Sequence, residues 1–125
     1  MRHTLAWTGL VCGMLVCTAA TAQNVDITGL YEVQGRQGAG TYKGVAEVSK
    51  DGDVYRVIWT IGSERFAGTG FVTDGVFSVV YVANRQTRPG LVSYRVGTDG
   101  SLEGRYTILG SKSLLTENWR RGPRT

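Results

Sequence analysis

The stretch Val54–Phe71, VYRVIWTIGSERFAGTGF, sets bulky residues at every second position: Tyr55, Val57, Trp59 and Ile61, with Arg56 and Thr60 between them. A period of two is the mark of a β-strand with one face in a core. Gly62-Ser63 then interrupts the run, and Phe66 resumes it among Gly68 and Gly70, so the stretch reads as a hairpin whose second arm is rich in glycine.

The same grammar continues in both directions. Turn signals recur at Gly35 to Gly40, Asp51-Gly52, Gly62-Ser63, Asp74-Gly75, Arg88-Pro89-Gly90, Asp99-Gly100 and Gly110-Ser111. Between them lie segments rich in Val, Ile, Thr, Tyr and Phe, which predict eight strands near residues 27–34, 41–49, 54–61, 65–72, 76–83, 91–97, 102–109 and 113–120. Short turns make each strand pair with the next, and no segment after the first two dozen residues has a helical period.

Following the alternation strand by strand sorts the side chains. One face collects Tyr31, Tyr42, Tyr55, Trp59, Phe66, Phe77, Tyr81, Tyr94, Tyr106 and Trp119; of the aromatic residues after the leader, Phe71 alone falls on the other face. That outer face also receives Lys43, Glu47, Arg56, Glu103, Arg105 and Glu117, the pattern of a sheet that is dry on one side and wet on the other. The fifth strand, VFSVVYVA, is apolar on both faces. Gly29, Gly44, Gly68 and Gly104 share the inward parity, where a missing side chain lets a strand coil and makes room for a neighbouring ring. Eight such strands predict an all-β, antiparallel, up-and-down barrel, with a two-sheet β-sandwich as the alternative. An outer-membrane barrel inverts this pattern, with an apolar outside and a polar lumen, so a water-facing barrel that does not span a membrane is expected.

The first 22 residues have the layout of a secretory leader: Arg2, an apolar run from Leu5 to Cys17, and Ala20-Thr21-Ala22 as the cleavage pattern. The run is shorter than the roughly 20 residues that cross a bilayer. Residues 23–125 are then the mature chain, one barrel domain with a short basic C-terminal tail, exported to the periplasm or secreted. Cleavage removes His3, Cys12 and Cys17, the only histidine and cysteines. Disulfides, thiolate nucleophiles, histidine bases and zinc sites of nitrogen or sulfur ligands are thereby excluded from the mature protein. The formal net charge of +4 falls to +3 when Arg2 leaves, too little for a nucleic-acid signature.

Several motifs run through these strands: G-x-Y-x-V-x-G at Gly29–Gly35, Y-x-G-x-x-x-V at Tyr42–Val48, G-D-x-Y-x-V-x-W-x-I-G at Gly52–Gly62, F-x-G-T-G at Phe66–Gly70, G-x-Y-T at Gly104–Thr107 and E-x-W at Glu117–Trp119. On these the chain resembles a poorly characterised family of small exported proteobacterial proteins, some of whose members are labelled fibronectin-binding. A looser resemblance is to the lipocalin and avidin group. Gly29-Leu30-Tyr31 is similar to their early G-x-W, with Tyr in place of Trp, and Arg120 or Arg121 resembles the lipocalin arginine that packs across the barrel base. The usual lipocalin helix has no counterpart.

The chemistry expected is recognition rather than catalysis. Asp51, Asp53, Asp74 and Asp99 lie in or beside turns and Glu47, Glu103 and Glu117 fall on the wet face, so no catalytic acid pair, metal site or cofactor is expected. An interior tyrosine brings a hydroxyl that must reach the rim, a backbone group or a ligand. Tyr55, Trp59, Tyr81, Tyr94 and Tyr106 are accordingly the candidate walls of an interior site for a small apolar or aromatic molecule. Phe71, Arg85, Arg88, Arg120 and Arg121 are candidates for an exterior surface that grips an unknown protein or an anionic surface. A non-enzymatic binding or interaction protein is the expected function, ahead of a small secreted enzyme lacking histidine and cysteine.

Overall fold

The computed structural model describes residues 13, 25–83 and 88–122. Eight strands follow one another: β1 (Gly29–Gln37), β2 (Gly40–Asp51), β3 (Val54–Ile61), β4 (Glu64–Thr73), β5 (Val76–Ala83), β6 (Gly90–Val96), β7 (Leu102–Ile108) and β8 (Leu115–Arg121). Each pairs antiparallel with its successor, and β8 returns to β1 in the register Tyr31↔Arg121 to Gly35↔Glu117. The result is a closed barrel, so the sandwich alternative is excluded and no sheet edge is left open. Except for residue 13, the expected leader lies outside the described residues, as does Arg85.

Two details of the turns differ from the sequence reading. Gly35 is not a turn residue: β1 runs on to Gln37, and only Gly38 and Ala39 separate it from β2. At Asp51-Gly52 the aspartate ends β2 and the loop is Gly52-Asp53, whereas Asp74 and Gly75 are themselves the two loop residues, both with positive φ (51° and 76°). That combination is what a type I′ hairpin requires.

The interior is dry and aromatic. Tyr31, Tyr94, Phe77 and Trp119 are almost wholly enclosed, with Val33, Val57, Val79, Val92 and Leu102 around them. The Trp119 indole is the hub, its centroid 4.5 Å from Tyr94, 5.2 Å from Tyr31 and 5.8 Å from Trp59. All ten aromatic residues assigned inward are buried or half-buried, and Phe71 points out.

The two ends of the barrel are unlike. At the base, Ile27 is tucked in ahead of β1 and its carbonyl accepts a 2.7 Å hydrogen bond from the Tyr31 hydroxyl. Arg121 lies over the Tyr31 ring, 4.8 Å from its centroid, and donates to the carbonyls of Thr28 (2.8 Å) and Asp26 (3.0 Å). This arginine seals the base by cation–π contact and backbone hydrogen bonds. Arg120, its neighbour, is exposed. The opposite end, where the β1–β2, β3–β4 and β7–β8 connections lie, is the mouth.

Candidate functional site

Near the mouth, five residues on five consecutive strands stand in one row: Tyr42 (β2), Gly35 (β1), Glu117 (β8), Gly104 (β7) and Tyr94 (β6), each in register with the next. The two glycines make the row work. A methyl group on Gly35 would collide with the Tyr42 ring, and one on Gly104 with the Tyr94 ring. Each tyrosine therefore lies flat across a strand that offers no side chain and reaches the carboxylate from its own side, a pairing of aromatic and glycine known to stabilise sheets.

Glu117 is 6% exposed and points into the barrel. This corrects its assignment to the wet face. Trp119, two residues on, is interior, and residues i and i+2 of a strand share a face. The carboxylate meets donors only. Tyr42 donates to Oε1 at 2.7 Å, while Oε2 accepts from Trp119 Nε1 at 2.8 Å, from Trp59 Nε1 at 3.1 Å and from the Tyr94 hydroxyl. An indole N–H can only donate and a carboxylate can only accept, so the set is matched. Burial, and after it the Glu117 charge, push the Tyr42 and Tyr94 hydroxyls far above the usual tyrosine range, which keeps both as neutral donors.

The carboxylate forms part of the wall of a cavity of about 110 Å³ that opens at the mouth. Trp59, Tyr81, Tyr94 and Tyr106 line it as the alternation implied, together with Tyr42 and Phe66. Tyr55 is not part of it: it lies toward the base, where its ring meets Phe77 edge-on at 5.8 Å. The remaining wall is aliphatic, from Ile61, Val92 and Ile108, with two exposed polar residues, Gln37 at the end of β1 and Glu64 at the start of β4, at the rim. Tyr106 anchors the rim through a 2.7 Å bond from its hydroxyl to the Arg36 carbonyl. Of the interior hydroxyls, those of Tyr31 and Tyr106 thus reach backbone, while those of Tyr42 and Tyr94 reach the buried Glu117.

No protein-family model and no curated protein sequence matches the chain. Solved structures do. A redesigned β-barrel, mFAP1, bound to DFHBI, superimposes with a TM-score of 0.62 at 14% identity, covering 75% of this chain and 94% of that one. The REP1-NXSQ fatty acid transporter does so with a TM-score of 0.53 at 9% identity, covering 80% and 98%. The chain is a small β-barrel of their kind. At such identities the likeness establishes the fold alone.

The described exterior candidates are spread over the barrel. Phe71 on β4 is 55% exposed and lies beside the outward face of β5, where Val80 (53%) stands opposite Leu91 of β6 (56%). Arg88 is exposed on the β5–β6 connection at the mouth, Arg120 is on the outer face of β8, and Arg121 is committed to the base. They do not form one cluster. Among the described residues, no group of three or more His, Cys, Asp or Glu is placed to hold a metal ion.

Proposed function

We propose that this is an exported, non-enzymatic, cofactor-free binding protein that receives a small molecule with an apolar or aromatic body in the mouth of its barrel. The observation that carries the reading is the mouth cavity itself: aromatic and aliphatic walls around a buried carboxylate held by four neutral donors. Small-molecule sites combine these features, an apolar lining with a few placed polar groups. Size narrows the ligand. About 110 Å³ is close to the ~150 Å³ of an apolar cavity that takes benzene, and well below the ~300–1,000 Å³ of drug-sized sites. One ring or a short branched chain fits. The leader pattern and the absence of histidine and cysteine from residues 23–125 support the exported and non-enzymatic parts of the reading.

Trp59 lines the cavity and reports on it. Saturable change in the tryptophan fluorescence of purified protein, on titration with one-ring aromatic compounds, is expected, and Ile108→Trp, which fills the mouth, should abolish it. A spectrum that no compound perturbs would overturn the interior site.

A second reading rests on the outward apolar pair Val80 and Leu91 with Phe71 nearby. Here the exterior binds a protein. Capture of a partner that is lost in Val80→Asp, with the fluorescence response intact, would favour it.

A further inference from the structure

Among the described residues, no cationic side chain pairs with the Glu117 carboxyl group. Its four hydrogen-bond partners are neutral donors, two indoles and two phenols. Buried carboxylates in proteins are normally paired with a cation or a metal. Among the described residues the only ion pair is Arg56 with Asp51, on the surface, and no lysine or arginine lines the cavity. The two charged residues of the lining, Glu117 within and Glu64 at the rim, have the same sign.

The acceptors are unevenly used. Oε2 shares its two lone pairs among three donors, whereas Oε1 takes one, from Tyr42. A carboxylate offers about four acceptor positions, two on each oxygen, so Oε1 retains one for a further donor. Around it six of the lining residues are aromatic: Tyr42, Trp59, Phe66, Tyr81, Tyr94 and Tyr106. Aromatic rings present negative faces, and their attraction for a cation grows as water is excluded. Among the described residues an anionic ligand finds the opposite, two acidic groups and no basic one.

On the reading that the mouth cavity receives a ligand, we propose that this ligand is a small organic cation, an ammonium group carried on one apolar or aromatic unit. The ammonium donates to the free position on Glu117 Oε1 and lies among the rings, and its hydrocarbon part occupies the aliphatic side made by Ile61, Val92 and Ile108. The ligand supplies the counter-charge that Glu117 does not receive from the described residues.

Three probes of one size and different charge test this: benzylammonium, benzyl alcohol and benzoate, titrated by calorimetry and tryptophan fluorescence near neutral pH. Benzylammonium is expected to bind about tenfold or more tighter than benzyl alcohol, with benzoate weakest. Glu117→Gln should bring the ammonium and the alcohol to within about twofold, and Glu64→Gln, at an exposed position that leaves the core untouched, should lower ammonium affinity by about twofold. If Glu117→Gln does not fold, the wild-type order and Glu64→Gln still decide. Benzyl alcohol binding as tightly as benzylammonium, or benzoate binding tightest, would overturn the cation while leaving an interior site standing. Binding of none of the three would overturn the interior site, and this inference with it.

Discussion

Gly104 of β7 stands in register with Glu117 of β8, and the Tyr94 ring lies over that glycine on its way to the carboxylate. The absence of a side chain at one position thus determines whether a buried acid is satisfied from the next strand but one. Gly35 plays the same part on the other flank, beneath Tyr42.

A methyl group at Gly104 or Gly35 must displace a ring. Gly104→Ala and Gly35→Ala should each destabilise the protein by about 1–3 kcal/mol, the usual cost of overpacking. Gly40→Ala, at an exposed site with ordinary φ and only the Gln37 carbonyl near at 3.7 Å, should change stability by less than about 0.5 kcal/mol. Urea unfolding midpoints check all three.

Removing the acceptor leaves its donors stranded. Glu117→Ala takes away the partner of Tyr42, Tyr94, Trp59 and Trp119 at once and should cost on the order of 3–5 kcal/mol, a large share of the ~5–15 kcal/mol that holds a domain together. Glu117→Gln keeps one acceptor oxygen and should cost less. Thermal unfolding should rank wild type above Gln and Gln above Ala; equal stability of the Ala variant would show that the hydrogen-bonded row contributes nothing.

Alkali should attack this core through its tyrosines. Burial raises the hydroxyls of Tyr42, Tyr81 and Tyr94 above the usual value of about 10. A group raised on folding contributes stability that is complete below its unfolded value and is lost as pH rises past it toward the folded value. Stability should therefore be level up to about pH 10 and fall beyond it, with enclosed Tyr94 contributing about 1.4 kcal/mol per pH unit. Tyr42 and Tyr81, partly open, contribute less because solvent screens them. Absorbance of tyrosinate should be lower in native than in denatured protein at pH 11, and coincident curves would refute the assignment.

The arginine pair on β8 separates by face. Arg121→Ala loses the Tyr31 stacking and two backbone acceptors, and should cost about 1–2 kcal/mol and speed hydrogen exchange around Val25–Thr28. Arg120→Ala, on the exposed outer face, should be silent.

Ligand effects should follow the mouth and not the whole aromatic interior. Tyr81→Ala should weaken binding of a one-ring probe about tenfold or more, because its ring is part of the cavity wall, while Tyr55→Ala, toward the base, should leave affinity within about twofold. Calorimetric titration distinguishes the two.

Much of this was legible in the chain alone, because strand alternation and turn chemistry are local. Tyr55, Val57, Trp59 and Ile61 mark a half-buried strand whatever surrounds them, and the turn signals around them delimit eight strands joined by short connections. Glu117 was within reach of the same logic, two residues before Trp119, but a charged residue is so rarely buried that its type outweighed its parity. What no local pattern contains is the row across the sheet. Closure of β8 on β1 brings Gly35 beside Glu117, and the β7–β8 register brings Gly104 to its other side. Register between strands far apart in sequence is decided by how all eight interior faces pack together. Only that packing turned two glycines, two tyrosines and two tryptophans into a shell of donors around one acid.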